Sequence, residues 1–368
     1  MEIKDETQHK MKCLTGMIHS YQSINNIKTI NNRSRESGLR TTCYQLIILI
    51  LLSITIGSCY SIESDCDFYW ERPNGPIAHT IAVASNGDIW TGTVMSEIFL
   101  STDNGNTWVQ KNDDFLGNQI YSIAINPING YIFYGTAWKG LFRSTDNGES
   151  WVNVISNLVD VYAILITPSG EIYFGSAAFG SISSKVYYSN DNGDTWIERS
   201  NGLPDRSTIS SLALGTDGTL YAGTFYGGVY RSTDNGNTWL PPSNYNNNVY
   251  IRGLTICDDG SILATAEENG VLNSTNKGVT WSFVNNVREA YVSSIIYNSI
   301  TRDIFVGTTV GDDDGMVYRS TNFGAKWELK NNGIPKSNAI HAFAFNSHTG
   351  QMYLTCHDGV YRSRNYPE

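Results

Sequence analysis

The sequence is poor in charge: Asp, Glu, Lys and Arg make up 16% of 368 residues. It carries no block of Lys, Glu, Ala and Leu that would favour helices, and no segment with a convincing helical period. The formal charge of −10 leaves no basic footprint for a nucleic acid. Six cysteines, at 13, 43, 59, 66, 257 and 356, include no CxxC pair, so no zinc site is expected. No phosphate loop and no Ser-His-Asp order are found, and no cofactor is expected. What is plentiful is glycine, tyrosine and tryptophan, an all-β composition.

Residues 1–58 differ from the rest. They hold seven basic and four acidic residues, which leaves 18 basic and 31 acidic residues beyond them. Leu46–Ile56, "LIILILLSITI", is an apolar run of 11 residues that follows Arg33, Arg35 and Arg40. That is short for a membrane span and suits the core of a signal peptide. Ile56-Gly57-Ser58-Cys59 resembles a bacterial lipoprotein signal, which implies lipidation of Cys59, a linker over 59–66 and an extracytoplasmic mature chain. An ordinary secretory signal and an uncleaved anchor give the same side of the membrane. The leader is long for a signal, which points to a later start such as Met17. With Cys59 lipidated, three cysteines remain, an odd count that argues against a disulfide framework.

The rest of the chain is repetitive. "STDNGNTW" at 101–108 recurs as "STDNGESW", "SNDNGDTW", "STDNGNTW", "STNKGVTW" and "STNFGAKW", ending at Trp151, Trp196, Trp239, Trp281 and Trp327. A spacing of 42 to 46 residues fits a four-stranded propeller blade. Seven alternating segments precede these turns as first strands, from "AHTIAV" (78–83) to "IHAFAF" (340–345). The seventh unit stops at "GVYRSRNYPE" without a fourth strand, while "DFYWERP" (67–73) stands before the first unit with Trp70 where a fourth-strand tryptophan belongs. The expectation is an all-β, seven-bladed β-propeller of four-stranded antiparallel blades over 67–368, closed by the N-terminal strand completing the last blade.

The turn residues suit a connection between third and fourth strands. Asp103, Asp146, Asp191 and Asp234 can accept backbone amides, and Asn276 and Asn322 can do so without charge. Glycine accommodates positive φ, and the tryptophan offers a packing plate. A general acid could not be exchanged for asparagine, so the turns read as structure. The pattern S-x-D-x-G-x-T-W resembles the Asp-box, or BNR repeat, over about 300 residues. The resemblance implies the propeller fold. It spans sialidases, xyloglucan-degrading hydrolases, sortilin ectodomains and a photosystem II assembly factor, so it leaves function open.

Sialidases of this family use three converging arginines, the first in an Arg-Ile-Pro motif. Here the corresponding stretch is Glu71-Arg72-Pro73-Asn74, and Arg143, Arg231, Arg319 and Arg362 recur before turns as third-strand residues. The xyloglucan hydrolases use two propellers, and one fits this chain. The resemblance also implies that first strands line the channel, and that the second-to-third loops share a face opposite the Asp-box turns. Aligning the first strands then gives a polar column at one mouth: His79, Tyr121, Tyr162, Ser210, Arg252, Ser293 and His341. The loops add Trp138 and Lys139, Phe179, Phe225 and Tyr226, Glu267 and Glu268, Asp312–Asp314, and His357 with Asp358. His79 and His341, on adjacent blades, suggest a metal pair that lacks a third ligand, and no metal site is expected.

The reading is a non-catalytic, monomeric, extracytoplasmic propeller that recognises a protein or glycan through His79, Tyr121, Trp138, Tyr162, Tyr226, Arg252, Glu267 and His341. The membrane enters only through a lipid anchor. The alternative is a glycoside hydrolase using loop carboxylates such as Glu267 or Asp313.

Overall fold

The repeats fold as seven antiparallel sheets arranged as the blades of a closed β-propeller. The computed structural model describes residues 68–112, 118–156, 159–177, 184–205, 207–244, 249–267, 269–284, 287, 291–309, 315–335 and 338–364. The leader with Cys59, the 59–66 linker, Asp67, Phe179, Glu268 and Asp312–Asp314 lie outside the described residues. The innermost strands of blades 1 to 7 are Thr80–Val83, Ile120–Ile125, Val161–Ile166, Ile209–Leu214, Ile251–Ile256, Tyr291–Asn298 and Ile340–Phe345. Each packs on the inner strand of the next blade, and the last packs on the first.

The ring closes as the tryptophan count suggests. Tyr69–Glu71 is the outermost strand of blade 7, antiparallel to Gly359–Arg364, with Trp70 opposite Ser363. Glu71 is held by Arg362 at 3.0 Å and by Arg364. Sequence positions 291 to 295 apart thus share one sheet, and no blade edge is left between the chain ends.

Apolar side chains gather into seven clusters among the described residues, one at each interface between blades. The inner-strand residues Ile120, Val161, Ile209, Ile251, Val292 and Ile340 are fully buried in them. All but Val292 fit because the second strand of the preceding blade offers a glycine. A Cβ at Gly92 would lie 2.6 Å from Ile120 Cγ2, and one at Gly135 would lie 2.5 Å from the Val161 carbonyl oxygen. The glycines in the second strands therefore set how closely blades approach.

The repeated turns lie between third and fourth strands. In blade 1, Asp103 Oδ1 accepts the Thr107 amide at 2.8 Å, Oδ2 accepts the Thr107 hydroxyl at 2.6 Å, and Ser101 Oγ accepts the Gly105 amide at 2.9 Å. Asn276 and Asn322 take the same amide bond, to Thr280 and Lys326. The tryptophans add a link between blades: Trp151, Trp239 and Trp70 donate Nε1–H to the carbonyls of Lys111, Arg199 and Lys330 in the preceding blade. Third-strand arginines reach forward, Arg143 to Asn192 and Asp194 and Arg362 to Asn104.

Blade 4 departs from its neighbours. Its fourth strand is one bridge, Arg231 to Leu240, rather than a strand of its own. Pro241 and Pro242 follow. Neither has an N–H, and the position that donates to the third strand as Arg199 donates to Val186 is Pro242.

Candidate functional site

One local distortion recurs at the mouth of the channel. In blades 2 to 7 the pairing of the two inner strands slips beside Ile120, Val161, Ile209, Ile251, Val292 and Ile340. The residues passed over are Tyr121, Tyr162, Ser210, Arg252 with Gly253, Ser293 and His341. A bulge of this kind leaves its extra residue outside the ladder and re-aims its side chain. In blade 1, His79 stands just ahead of the strand, and its amide bonds the Gly92 carbonyl at 2.8 Å. The second-to-third turns lie beside this mouth, since Ala137, Ala177, Phe225 and Glu267 donate their amides to residues immediately before or leading into the inner strands.

The side chains so aimed form a continuous arc. His357 meets His341 edge-on at 4.8 Å between ring centroids, and His341 stacks on His79 at 4.8 Å. His79 meets Tyr121 at 6.3 Å, and Tyr121 stacks on Tyr162 at 4.1 Å. Tyr162 meets Phe225, Phe225 meets Tyr250, and Tyr250 carries Tyr226 at 4.2 Å. The Arg252 guanidinium lies over Phe225 at 5.3 Å and pairs with Glu267 at 2.9 Å. Ser210 and Ser293 do not join: their hydroxyls bond the Gly223 and Ile251 carbonyls, and the Gly307 and Ile340 carbonyls. The polar column expected from sequence is therefore polar on one arc and turned into the backbone in blades 4 and 6.

Burial sets the electrostatics. It holds the His79 imidazole down to about 4, helped by Arg252 and His357, and the His341 imidazole down to about 3, helped by His79 and His357. Both are neutral at pH 7. Nδ1 of His79 is buried without a hydrogen-bond partner. Burial and the bond to Tyr162 push the Tyr121 phenol up. Among the described residues no cluster of three His, Cys, Asp or Glu is placed to hold a metal ion.

Two aromatics at this face sit in backbone strain. Trp138 and Tyr226 have φ of 66° and 67° and are 42% and 54% exposed. Bulky residues rarely adopt that region. Trp138 is fixed there by the buried Asp160, whose carboxylate accepts its amide at 2.6 Å. Burial raises the Asp160 carboxyl above its ordinary value, an effect this hydrogen bond partly offsets. Left-handed backbone costs an ordinary residue about 1 kcal/mol and glycine almost nothing. Trp138→Gly is accordingly expected to leave stability unchanged or raise it by up to about 1 kcal/mol. Urea unfolding checks this, and a loss beyond about 1 kcal/mol would make the indole part of the packing.

Of the residues singled out in the sequence, the structure joins His79, Tyr121, Tyr162, Tyr226, Arg252, Glu267 and His341 in one neighbourhood, with Trp138 on the blade 2 turn of the same face. Sequence reasoning missed Asp160 and Tyr250. Both stand one residue ahead of the buried inner-strand position and so two ahead of the aligned column, a register that the repeat itself offers.

A family profile described as the DUF6242 beta propeller domain matches residues 177–322. No curated protein matches the chain in sequence. Among solved structures, virginiamycin B lyase from Staphylococcus aureus superposes with a TM-score of 0.64 at 16% identity, over 82% of this chain and 100% of that one. YCF48 bound to D1 peptide gives 0.62 at 12% identity, over 82% and 97%. The GH74 xyloglucanase from Xanthomonas campestris gives 0.64 at 13% identity, over 81% of this chain and 54% of the enzyme. A lyase, a peptide-bound protein and a glycan hydrolase share the architecture, so the likeness shows the fold alone.

Proposed function

We propose that this chain is an Asp-box propeller that binds a protein or glycan at the channel mouth without cleaving it, and that it works outside the cytoplasm as a monomer, lipid-anchored at Cys59 or secreted. The observation that carries the reading is the unbroken arc from His357 to Tyr226, built from blades 7, 1, 2, 3, 4 and 5. Flat rings with polar edges offer a ligand both apolar contact and hydrogen bonds. Exposed apolar side chains stand on the same face, Ile77, Val94, Met95, Trp138, Tyr226 and Tyr291, and grouped exposure of this kind marks recognition surfaces. A hydrolase would need a pair of carboxyl groups roughly 5–10 Å apart around a bond to be cleaved. Glu267 is engaged by Arg252 and Asp160 by the Trp138 amide, which favours binding over hydrolysis.

The test is a glycan array and a pull-down with the 60–368 fragment, followed by affinity measurements on variants. Tyr121→Ala, Arg252→Ala and Trp138→Gly are each expected to weaken binding of the captured ligand about tenfold or more. Unchanged affinity in all three would remove the mouth as the site.

A further inference from the structure

Three imidazoles meet where blades 1 and 7 close, His79, His341 and His357, and the Arg252 guanidinium of blade 5 acts on His79 through its field. In a chain of net charge −10 this is an unusual concentration. The groups that act electrostatically on His79 are Arg252 and His357, and those that act on His341 are His79 and His357. Among the described residues no carboxylate is one of them. The neighbours confirm this side by side. Tyr121 faces His79 from blade 2. Asp358, next to His357, is turned to Tyr361 and the Cys356 thiol. Glu267 is bound to the guanidinium of Arg252. Among the described residues no carboxylate pairs with an imidazole of this cluster, and the unpartnered Nδ1 of His79 leaves the ring's donor and acceptor roles to be set by what enters.

We propose that this seam is a proton-linked anion subsite, in which a carboxylate of the bound ligand seats beside Arg252 and the stacked His79–His341 pair takes up one proton from solvent as it does so. The inference rests on the binding reading above and specifies the chemistry of its deepest contact. The only bond formed is N–H on an imidazole, and the carboxylate stays intact. The carboxylate can come from an acidic sugar or from an acidic peptide.

The sign of the linkage follows from the free state. Without ligand the His79 and His341 imidazoles are neutral down to about 4 and about 3. A carboxylate within hydrogen-bond reach favours the charged form and lifts that value. Affinity then rises as the pH falls through the window between the lifted value and about 4, by at most about tenfold per pH unit for one proton.

The experiment is isothermal titration of the full-length chain with trigalacturonate and with triglutamate, and with galactotriose and triglutamine as neutral counterparts, at about pH 5 and about pH 7 in buffers of different ionisation enthalpy. One acidic probe is expected to bind about tenfold more tightly at the lower pH with net proton uptake, and its neutral counterpart about tenfold more weakly. Which acidic probe responds identifies the source of the carboxylate. His79→Gln and His341→Gln should flatten the pH dependence. His357→Gln, on an exposed turn, should reduce it without a folding risk. Equal binding of acidic and neutral probes, pH-independent binding, or no binding of either acidic probe overturns the subsite. A neutral ligand captured at the mouth and lost with Tyr121→Ala would leave the binding reading standing while this one falls.

Discussion

Trp70→Ala is expected to cost about 3–5 kcal/mol of stability, read as a lowered urea midpoint. The indole is 1% exposed. It meets Phe68 at 5.5 Å and Phe305 at 6.1 Å, both edge-on, and Phe343 at 6.4 Å. Its Nε1–H reaches the Lys330 carbonyl at 2.9 Å, and its amide reaches the Asn332 carbonyl at 2.8 Å. The truncation therefore opens a cavity between blades 6 and 7 and removes a hydrogen bond from a buried carbonyl. It also loosens the strand that ties the chain ends. Glu71→Ala in the same strand removes partly exposed ion pairs and should cost under about 1 kcal/mol. The contrast says what closes the ring: a buried aromatic rather than the salt bridges beside it. A Trp70→Ala loss under about 1 kcal/mol would mean that this strand does not hold the blade.

The closure could be read from sequence because a missing tryptophan at one end and a spare one at the other are the same fact about a ring. The inner strands were legible for a similar reason: the alternation and the period fix which residue points where, blade after blade. What the repeat cannot encode is a departure from itself. A tyrosine and a serine at the same aligned position look equally polar, yet Tyr121 reaches across to Tyr162 while Ser210 folds back on the Gly223 carbonyl. Length decides it, since a hydroxyl on one carbon cannot leave the neighbourhood of its own backbone. The contact of His341 with His357 was hidden for another reason. It joins an inner strand to a turn of the same blade, and only the bulge beside Ile340 brings the two rings together. The strained Trp138 and its Asp160 anchor left no pattern either, because φ is not written in residue type for anything but glycine and proline.

Between pH 7 and pH 4 the propeller is expected to lose on the order of 3 kcal/mol through His79 alone. In the unfolded chain the imidazole takes a proton near 6.5, whereas in the fold burial holds it to about 4. Over that window the unfolded state binds a proton that the native state refuses, so stability falls as the pH falls and levels off below the folded value. His341, held to about 3, extends the loss in the same direction. The two do not simply add, because each charged ring would raise the cost of charging the other. A second window lies lower. Asp103, Asp146, Asp191 and Asp234 are held to about 2, below their ordinary value of 3.8, by the hydroxyl and then the amide of the Thr or Ser four residues on. Their contribution is present above 3.8 and is lost as the pH drops to about 2. Asn276 and Asn322 make the same turns without titrating, so blades 5 and 6 add nothing there. Urea midpoints measured across pH should show both steps, and His79→Gln should remove about half of the upper one, His341 carrying the rest, while leaving the lower. A flat profile above about pH 4.5 would mean that the imidazoles are not buried as neutral rings. The same measurement bears on the anion subsite, because a carboxylate that pairs with the protonated cluster must restore, in the folded state alone, the stability that acid removes.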